Sequence, residues 1–155
     1  MPSSEFSRSE KMPQPANGAC VLLYDGDCGL CWRTVRWMRR HDPQGRLHFA
    51  PLQQLLAAEV FARHKLDPQR INSAVLVSNF NTPQEQLLLR SDAILGCLGV
   101  LGGAWANLAV VTRLVPRALR DVAYKWIVRN RYRLFADGAS CTPHTRGEYA
   151  RLLDI

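Results

Sequence analysis

Cysteine is too sparse in this sequence to build a disulfide scaffold: there are five in 155 residues, and the number is odd. No heptad run, collagen period or internal repeat is present, which excludes coiled-coil, fibrous and solenoid architectures. The first 18 residues, MPSSEFSRSEKMPQPANG, lack the apolar centre of a secretory signal. They read as a disordered polar tail, and the expected location is the cytoplasm, where thiols stay reduced. Lysine is scarce, with 3 among 20 basic residues, and the 13 acidic residues leave a net charge of +7. No zinc-finger spacing, aromatic RNA-binding signature or clear helix-turn-helix accompanies that charge, so no nucleic-acid partner is expected. A solvated, arginine-rich surface accounts for it. Long apolar runs are missing except for Ala93 to Val111, whose 19 residues reach the lower end of a spanning helix, roughly 17–25. Gly102-Gly103 interrupts that run and Asn107 follows, so it reads as two buried helices and no membrane span is expected.

What is present suits a packed domain: 47% apolar and 21% charged residues, with a single domain expected over residues 19–155. Cys20 to Tyr24 is a short apolar run that reads as a buried strand. From Cys28 to His41 the period becomes helical, with Cys31, Val35 and Met38 on one face and Arg33, Arg36 and Arg40 on another. A second strand is expected at Leu47–Ala50. A second helix is expected at Leu52–His64, burying Leu55, Leu56, Val60 and Phe61. Ala74–Ser78 and Gln86–Leu89 read as an antiparallel hairpin. Ser91 is placed to cap the next helix, which runs to about Leu101. Further helices are expected from Trp105 to before Pro116 and from Arg117 to Asn130, the latter with Leu119, Val122, Ala123, Trp126 and Ile127 on its apolar side. The order is β-α-β-α-β-β-α with additional C-terminal helices, an α/β sandwich of the thioredoxin type.

The strongest local signal is Asp25-Gly26-Asp27-Cys28-Gly29-Leu30-Cys31, a strand leading straight into C-x-x-C at a helix start. Two intervening residues make about one helical turn, so the two sulfurs can bond with little strain. Cys28 falls at the helix N-terminus, where unpaired N–H groups favour a thiolate. Cys31 falls one turn in and is expected to be the more buried. Cys28 is therefore the attacking thiol and Cys31 the resolving thiol. Asp25 is a candidate to take the proton from Cys31. Asp25 and Asp27 are equally well explained by turn and cap chemistry.

These blocks resemble the DCC family of thiol-disulfide oxidoreductases, named for D-x-x-C-x-x-C, here Asp25, Cys28 and Cys31. The likeness runs from about Cys20 to the C-terminus. It includes Phe49-Ala50-Pro51-Leu52-Gln53, Arg90-Ser91-Asp92-Ala93 and Asn130-Arg131-Tyr132-Arg133-Leu134-Phe135, followed by a cysteine, Cys141. The resemblance implies a thioredoxin-like fold, dithiol–disulfide exchange, and a disulfide-containing protein or small thiol as substrate with an unspecified electron donor. No organic cofactor is implied, because the cysteine pair carries two electrons. By analogy with the fold, Asn72 and Ser73 border the substrate groove, with Arg33 beside the dithiol. The segment Ile71-Asn72-Ser73-Ala74 lacks the proline that thioredoxin itself has there. Cys141 is either a third redox thiol or an unpaired tail cysteine. Cys97 and Cys20 read as packing residues, and His41, His48 and His64 as surface or strand-end residues.

Three other readings compete. Cys28, Cys31, Cys141 and His144 form a Cys₃His set suited to structural zinc. Asp25-x-Asp27 after a strand resembles the start of an aspartate-nucleophile phosphatase, but the expected downstream lysine and acidic pair are not in place. The arginines of the first helix also suit a non-catalytic domain that binds an acidic partner.

Overall fold

The computed structural model describes residues 15–26, 28–71 and 73–134. Asp27, Asn72, Cys141 and His144 lie outside the described residues, as does most of the expected tail. Four strands form one mixed sheet: β1 (Cys20–Tyr24), β2 (Leu47–Pro51), β3 (Val75–Ser78) and β4 (Gln86–Leu89), in the order β2-β1-β3-β4. β1 runs parallel to β2, pairing Leu22 with Phe49, and antiparallel to β3, pairing Leu22 with Leu76. β3 and β4 form the expected hairpin, with Ser78 opposite Gln86. The helices are α1 (Gly29–Arg40), α2 (Leu55–Arg63), α3 (Ser91–Leu101), α4 (Gly103–Arg113) and α5 (Arg117–Leu134). The element order is the one expected from the sequence.

Strand alternation divides the core in two. Leu22 and Tyr24 point to one face, where they meet Val35 and Met38 of α1 and Ala93 and Cys97 of α3. Val21 and Leu23 point to the other, where they meet Ala57, Val60 and Phe61 of α2, with Val75, Val77 and Phe80. Both faces of the central strands are covered, which is why β1 and β3 read as continuous apolar runs. Gly96 lets α3 lie close against the sheet: a Cβ there would come within 2.5 Å of Leu76 Cδ2 and 2.9 Å of Leu88 Cδ1. The apolar run 93–111 breaks where expected, because Gly102 and Gly103 take φ of +75° and +57°, which glycine adopts without steric cost.

Several expectations need correction. α2 begins at Leu55, not Leu52, and Leu55 is 77% exposed; Ala57 holds the buried position instead. Ser91 is not the cap of α3. Arg90 holds that position, and the Ser91 hydroxyl donates to Asp121 Oδ1 of α5 at 2.6 Å. Of the two helices expected to be buried, α3 is, whereas α4 buries only Ala109. On α5 much of the apolar side is turned outward: Leu119, Val122 and Trp126 are exposed by 60%, 62% and 58%, whereas Ala123 and Ile127 border a cavity shared with α1 and α3. Periodicity identifies an apolar stripe, but not what covers it.

α5 is instead attached by polar contacts. Asp92, in the first turn of α3, accepts from Arg120 at 2.8 Å and pairs with Arg117 at 3.1 Å. The Tyr124 hydroxyl accepts the Ala74 backbone N–H at 3.1 Å. The sequence block Arg90–Ala93 is thus the docking point of α5, through Ser91 and Asp92.

Candidate active site

β1 ends at Tyr24 and the chain turns immediately into α1, so the dithiol sits where a buried strand delivers it. Cys28 is the N-cap of α1, with extended backbone (φ −100°, ψ 110°). Its Sγ accepts the Cys31 backbone N–H at 3.4 Å, satisfying one of the N–H groups that a helix start leaves without a partner. The Cys28 N–H donates to the Asp25 carbonyl at 3.2 Å, which closes the loop beneath the motif. Gln53, just past β2, holds this loop from the side. Its Nε2 donates to Asp25 Oδ1 at 3.2 Å, and its Oε1 accepts the Gly26 N–H at 3.3 Å. The Gln53 of the Phe49–Gln53 block therefore acts directly on the Asp25–Gly26 turn.

The two thiols differ in a way the sequence did not indicate. Cys28 is buried, at 2% exposure, and Cys31 is half-buried, the reverse of the expected order. The helix start tucks the cap residue under the turn and leaves the first-turn residue at the rim. The Cys31 thiol is pushed far above the ordinary cysteine range, chiefly by its hydrogen bond to Cys28, then by burial and the charge on Cys28. The Asp25 backbone pulls the other way, and the negative charge of Asp25 adds to the upward push. A charge on Cys28 thus makes the Cys31 proton harder to remove.

Both cysteines open on a cavity of about 370 Å³. Its walls come from β1 (Leu22), α1 (Val35), α3 (Ile94, Leu95) and α5 (Tyr124, Ile127). Several of its polar lining groups are engaged within the protein. The Thr34 hydroxyl donates to the Leu30 carbonyl and Thr112 to the Leu108 carbonyl. Ser91 is bonded to Asp121, and Arg120 to Asp92 and the Val115 carbonyl. A molecule entering the cavity therefore meets mainly apolar side chains and the two sulfurs. The contribution of α5 carries no local sequence signal, because Tyr124 and Ile127 reach the dithiol only through tertiary packing.

The other candidate residues are placed as follows. Asp25 lies at the base of the motif under Gln53. Arg33 is on the exposed face of α1 and Ser73 is half-buried; neither lines the cavity, whereas Ala74 does. Among the described residues no group of three or more His, Cys, Asp or Glu side chains gathers as a metal site. His41 bonds through Nδ1 to the Trp37 carbonyl at 2.8 Å, and His64 Nε2 meets Glu85 at 2.8 Å, beside the Arg63–Glu85 pair. Cys97 is fully buried in α3, and its thiol is pushed up to about 12 by burial and then by the charge of Cys20.

The Cys97 shift makes a stability prediction. Above the ordinary thiol value of 9.0, an unfolded Cys97 loses its proton while the folded one keeps it. The unfolded state then binds fewer protons, so stability is intact below about 9 and falls as pH rises toward about 12. The slope expected from this thiol is about 1.4 kcal/mol per pH unit. Urea unfolding of the reduced protein at about pH 8 and about pH 10 measures it, and Cys97→Ala should reduce the difference.

A parallel β1–β2 pair, an antiparallel β3–β4 hairpin, flanking helices and a C-x-x-C dithiol at the first helix start define a thioredoxin-like domain built for thiol chemistry. The model of the DCC1-like thiol-disulfide oxidoreductase family matches residues 22–137, and the chain belongs to that family. It is 29% identical over 139 residues to a chloroplastic DCC family protein of Arabidopsis thaliana, covering 90% of this chain and 74% of that protein. It is 31% identical over 121 residues to the uncharacterized protein YuxK of Bacillus subtilis (strain 168), covering 78% of this chain and 84% of that one. No solved structure matches it. No helix among the described residues is long and apolar enough to cross a membrane. Family membership supports a redox role with disulfide or thiol substrates.

Proposed function

We propose that the chain exchanges disulfides through Cys28 and Cys31, and that its substrate carries an apolar group beside the reacting sulfur. The observation that carries this reading is the Cys28–Cys31 pair at the start of α1, opening on an apolar cavity. In the reducing direction the Cys28 thiolate attacks one sulfur of the substrate disulfide. A Cys28–substrate bond forms, the substrate S–S bond breaks, and the first thiolate leaves and takes up a proton. Cys31 then gives up its proton and attacks Cys28 Sγ. The Cys28–Cys31 disulfide forms and the second substrate thiolate departs. An external dithiol returns the pair to its reduced form; the opposite direction runs the same steps in reverse.

Asp25 is the proposed acceptor for the Cys31 proton, since its charge already acts on that thiol. Gln53 is a positioning residue that holds the Asp25 carboxylate through its amide. The protonated state of Cys31 suits it to the second step, because it competes little for the substrate until a base draws its proton away. Ser73, Arg33 and Asn72 remain candidates for contacts at the rim, and Cys141 for a third thiol.

The substrate class is tested by turnover of two small disulfides, one with aromatic substituents and one zwitterionic, such as glutathione disulfide. The aromatic one should have kcat/KM higher by roughly tenfold or more, the gain expected when apolar groups leave water for an apolar site. Ala123→Trp, which projects bulk from α5 into the cavity, should remove that preference and spare the redox potential of the pair. Equal turnover of both disulfides by the unaltered protein would overturn the apolar-substrate reading and leave the exchange chemistry standing.

A further inference from the structure

The outer side of the C-terminal helices combines two features that the dithiol chemistry does not use. The first is apolar exposure. Of the nine exposed large hydrophobic side chains among the described residues, seven lie between Leu108 and Trp126, and none of the seven lines the cavity. On α4 and its C-cap, Leu108, Val111 and Leu114 follow helical spacing on the side away from buried Ala109. On α5, Leu119, Val122 and Trp126 form a stripe opposite the face that carries Arg120 and Tyr124 to the cavity rim.

The second feature is charge. Residues 103–134 hold seven basic residues and a single acidic one, Asp121, and two of the seven, Arg117 and Arg120, are tied to Asp92 of α3. Arg113, Lys125, Arg129 and Arg133 are exposed. Arg129 and Arg133 continue the α5 stripe at the same helical spacing, and Lys125 and Arg129 flank Trp126. The rest of the chain is nearly balanced.

We propose that the outer faces of α4 and α5 dock on the surface of a bilayer carrying anionic lipid. Exposed leucine, valine and tryptophan side chains enter the interfacial region, and the flanking Lys and Arg side chains meet the headgroups. The interaction is with the surface, since no described helix is long and apolar enough to span. A second copy of the chain is a poor occupant. A two-fold interface would set this basic face against itself, and like charges across an interface oppose association. A nucleic acid would leave the aliphatic stripe without a complementary surface, because such interfaces are strongly polar.

The test is co-flotation of the full chain with vesicles of phosphatidylcholine alone and of phosphatidylcholine mixed with phosphatidylglycerol, at low and high salt. The expected result is recovery with the mixed vesicles only, weakened by salt, with a blue shift of fluorescence that Trp126→Phe removes. Lys125→Glu combined with Arg129→Glu should lower binding by roughly tenfold or more, with the unfolding midpoint and disulfide turnover retained. Equal recovery with both vesicle types would overturn the proposal, as would no recovery with either. A concentration-dependent dimer that shields Trp126, or binding to mixed-sequence RNA without binding to vesicles, would overturn it in favour of that partner. The comparison of the two vesicle types uses the unaltered protein, so the outcome stands whether or not the variants fold.

Discussion

Cys28→Ser should abolish disulfide turnover, by roughly three orders of magnitude or more, because a serine hydroxyl cannot supply the thiolate that attacks sulfur. The fold should survive. Serine is close in size, and its oxygen can still accept the Cys31 N–H at the start of α1, as serine does at many N-caps. Cys31→Ser should behave differently. The first attack on the substrate remains, but the group that releases the mixed disulfide is gone, so a Cys28–substrate adduct should accumulate. Mass spectrometry after incubation with a small disulfide distinguishes the variants: no adduct with Cys28→Ser, a stable adduct on Cys28 with Cys31→Ser. The reversed exposure of the two thiols gives this comparison its weight. If access alone decided the roles, half-buried Cys31 would carry the adduct and Cys28 would resolve it. The cap hydrogen bond and the protonated state of Cys31 lead to the opposite assignment.

Phe61→Ala should be the most damaging change away from the dithiol. Phe61 is almost fully buried on α2, against Val21, Leu23, Val75 and Val77. Truncating a buried phenylalanine removes its contacts and leaves a cavity that the close-packed surroundings only partly fill. The expected cost is about 3–5 kcal/mol. That is a large fraction of a typical domain's stability and should lower the thermal midpoint by about 10 °C or more. The molecules that remain folded should exchange disulfides normally. Phe61 lies on the opposite face of the sheet from Tyr24, Val35 and the cavity, and distant, unshared sites act additively. Denaturant unfolding, followed by turnover corrected for the folded fraction, separates the two effects.

The central fold was legible because its strands are buried on both sides. Cys20–Tyr24 and Ala74–Val77 are apolar throughout, and the intervening Asp, Pro and Gly clusters mark where the chain turns. The dithiol was legible for the same reason: the motif directly follows such a strand. The outer layer was less so. Leu55 and the Leu119–Val122–Trp126 stripe have helical spacing, but spacing is the same whether the stripe meets a core or solvent. Ser91 has the chemistry of a cap, and it was drawn instead to Asp121, a partner 30 residues away that only the packing of α5 supplies. The cavity was invisible in the sequence because its walls are gathered from β1, α1, α3 and α5. Helix position alone does not indicate the relative burial of Cys28 and Cys31, since the sequence does not show the Asp25–Gly26 turn with Gln53 folded against it.

The most direct test of the central claim is a redox titration of the Cys28–Cys31 pair. The full chain is equilibrated across a glutathione or dithiothreitol series, quenched by alkylation and read by mass spectrometry. The account predicts one cooperative two-electron transition, with a tenfold change in the oxidised-to-reduced ratio for about 30 mV, and a midpoint between about −270 and −120 mV. Cys28→Ser should eliminate it. A pair that forms no disulfide at any poise, or that is shielded by stoichiometric zinc, would contradict the account.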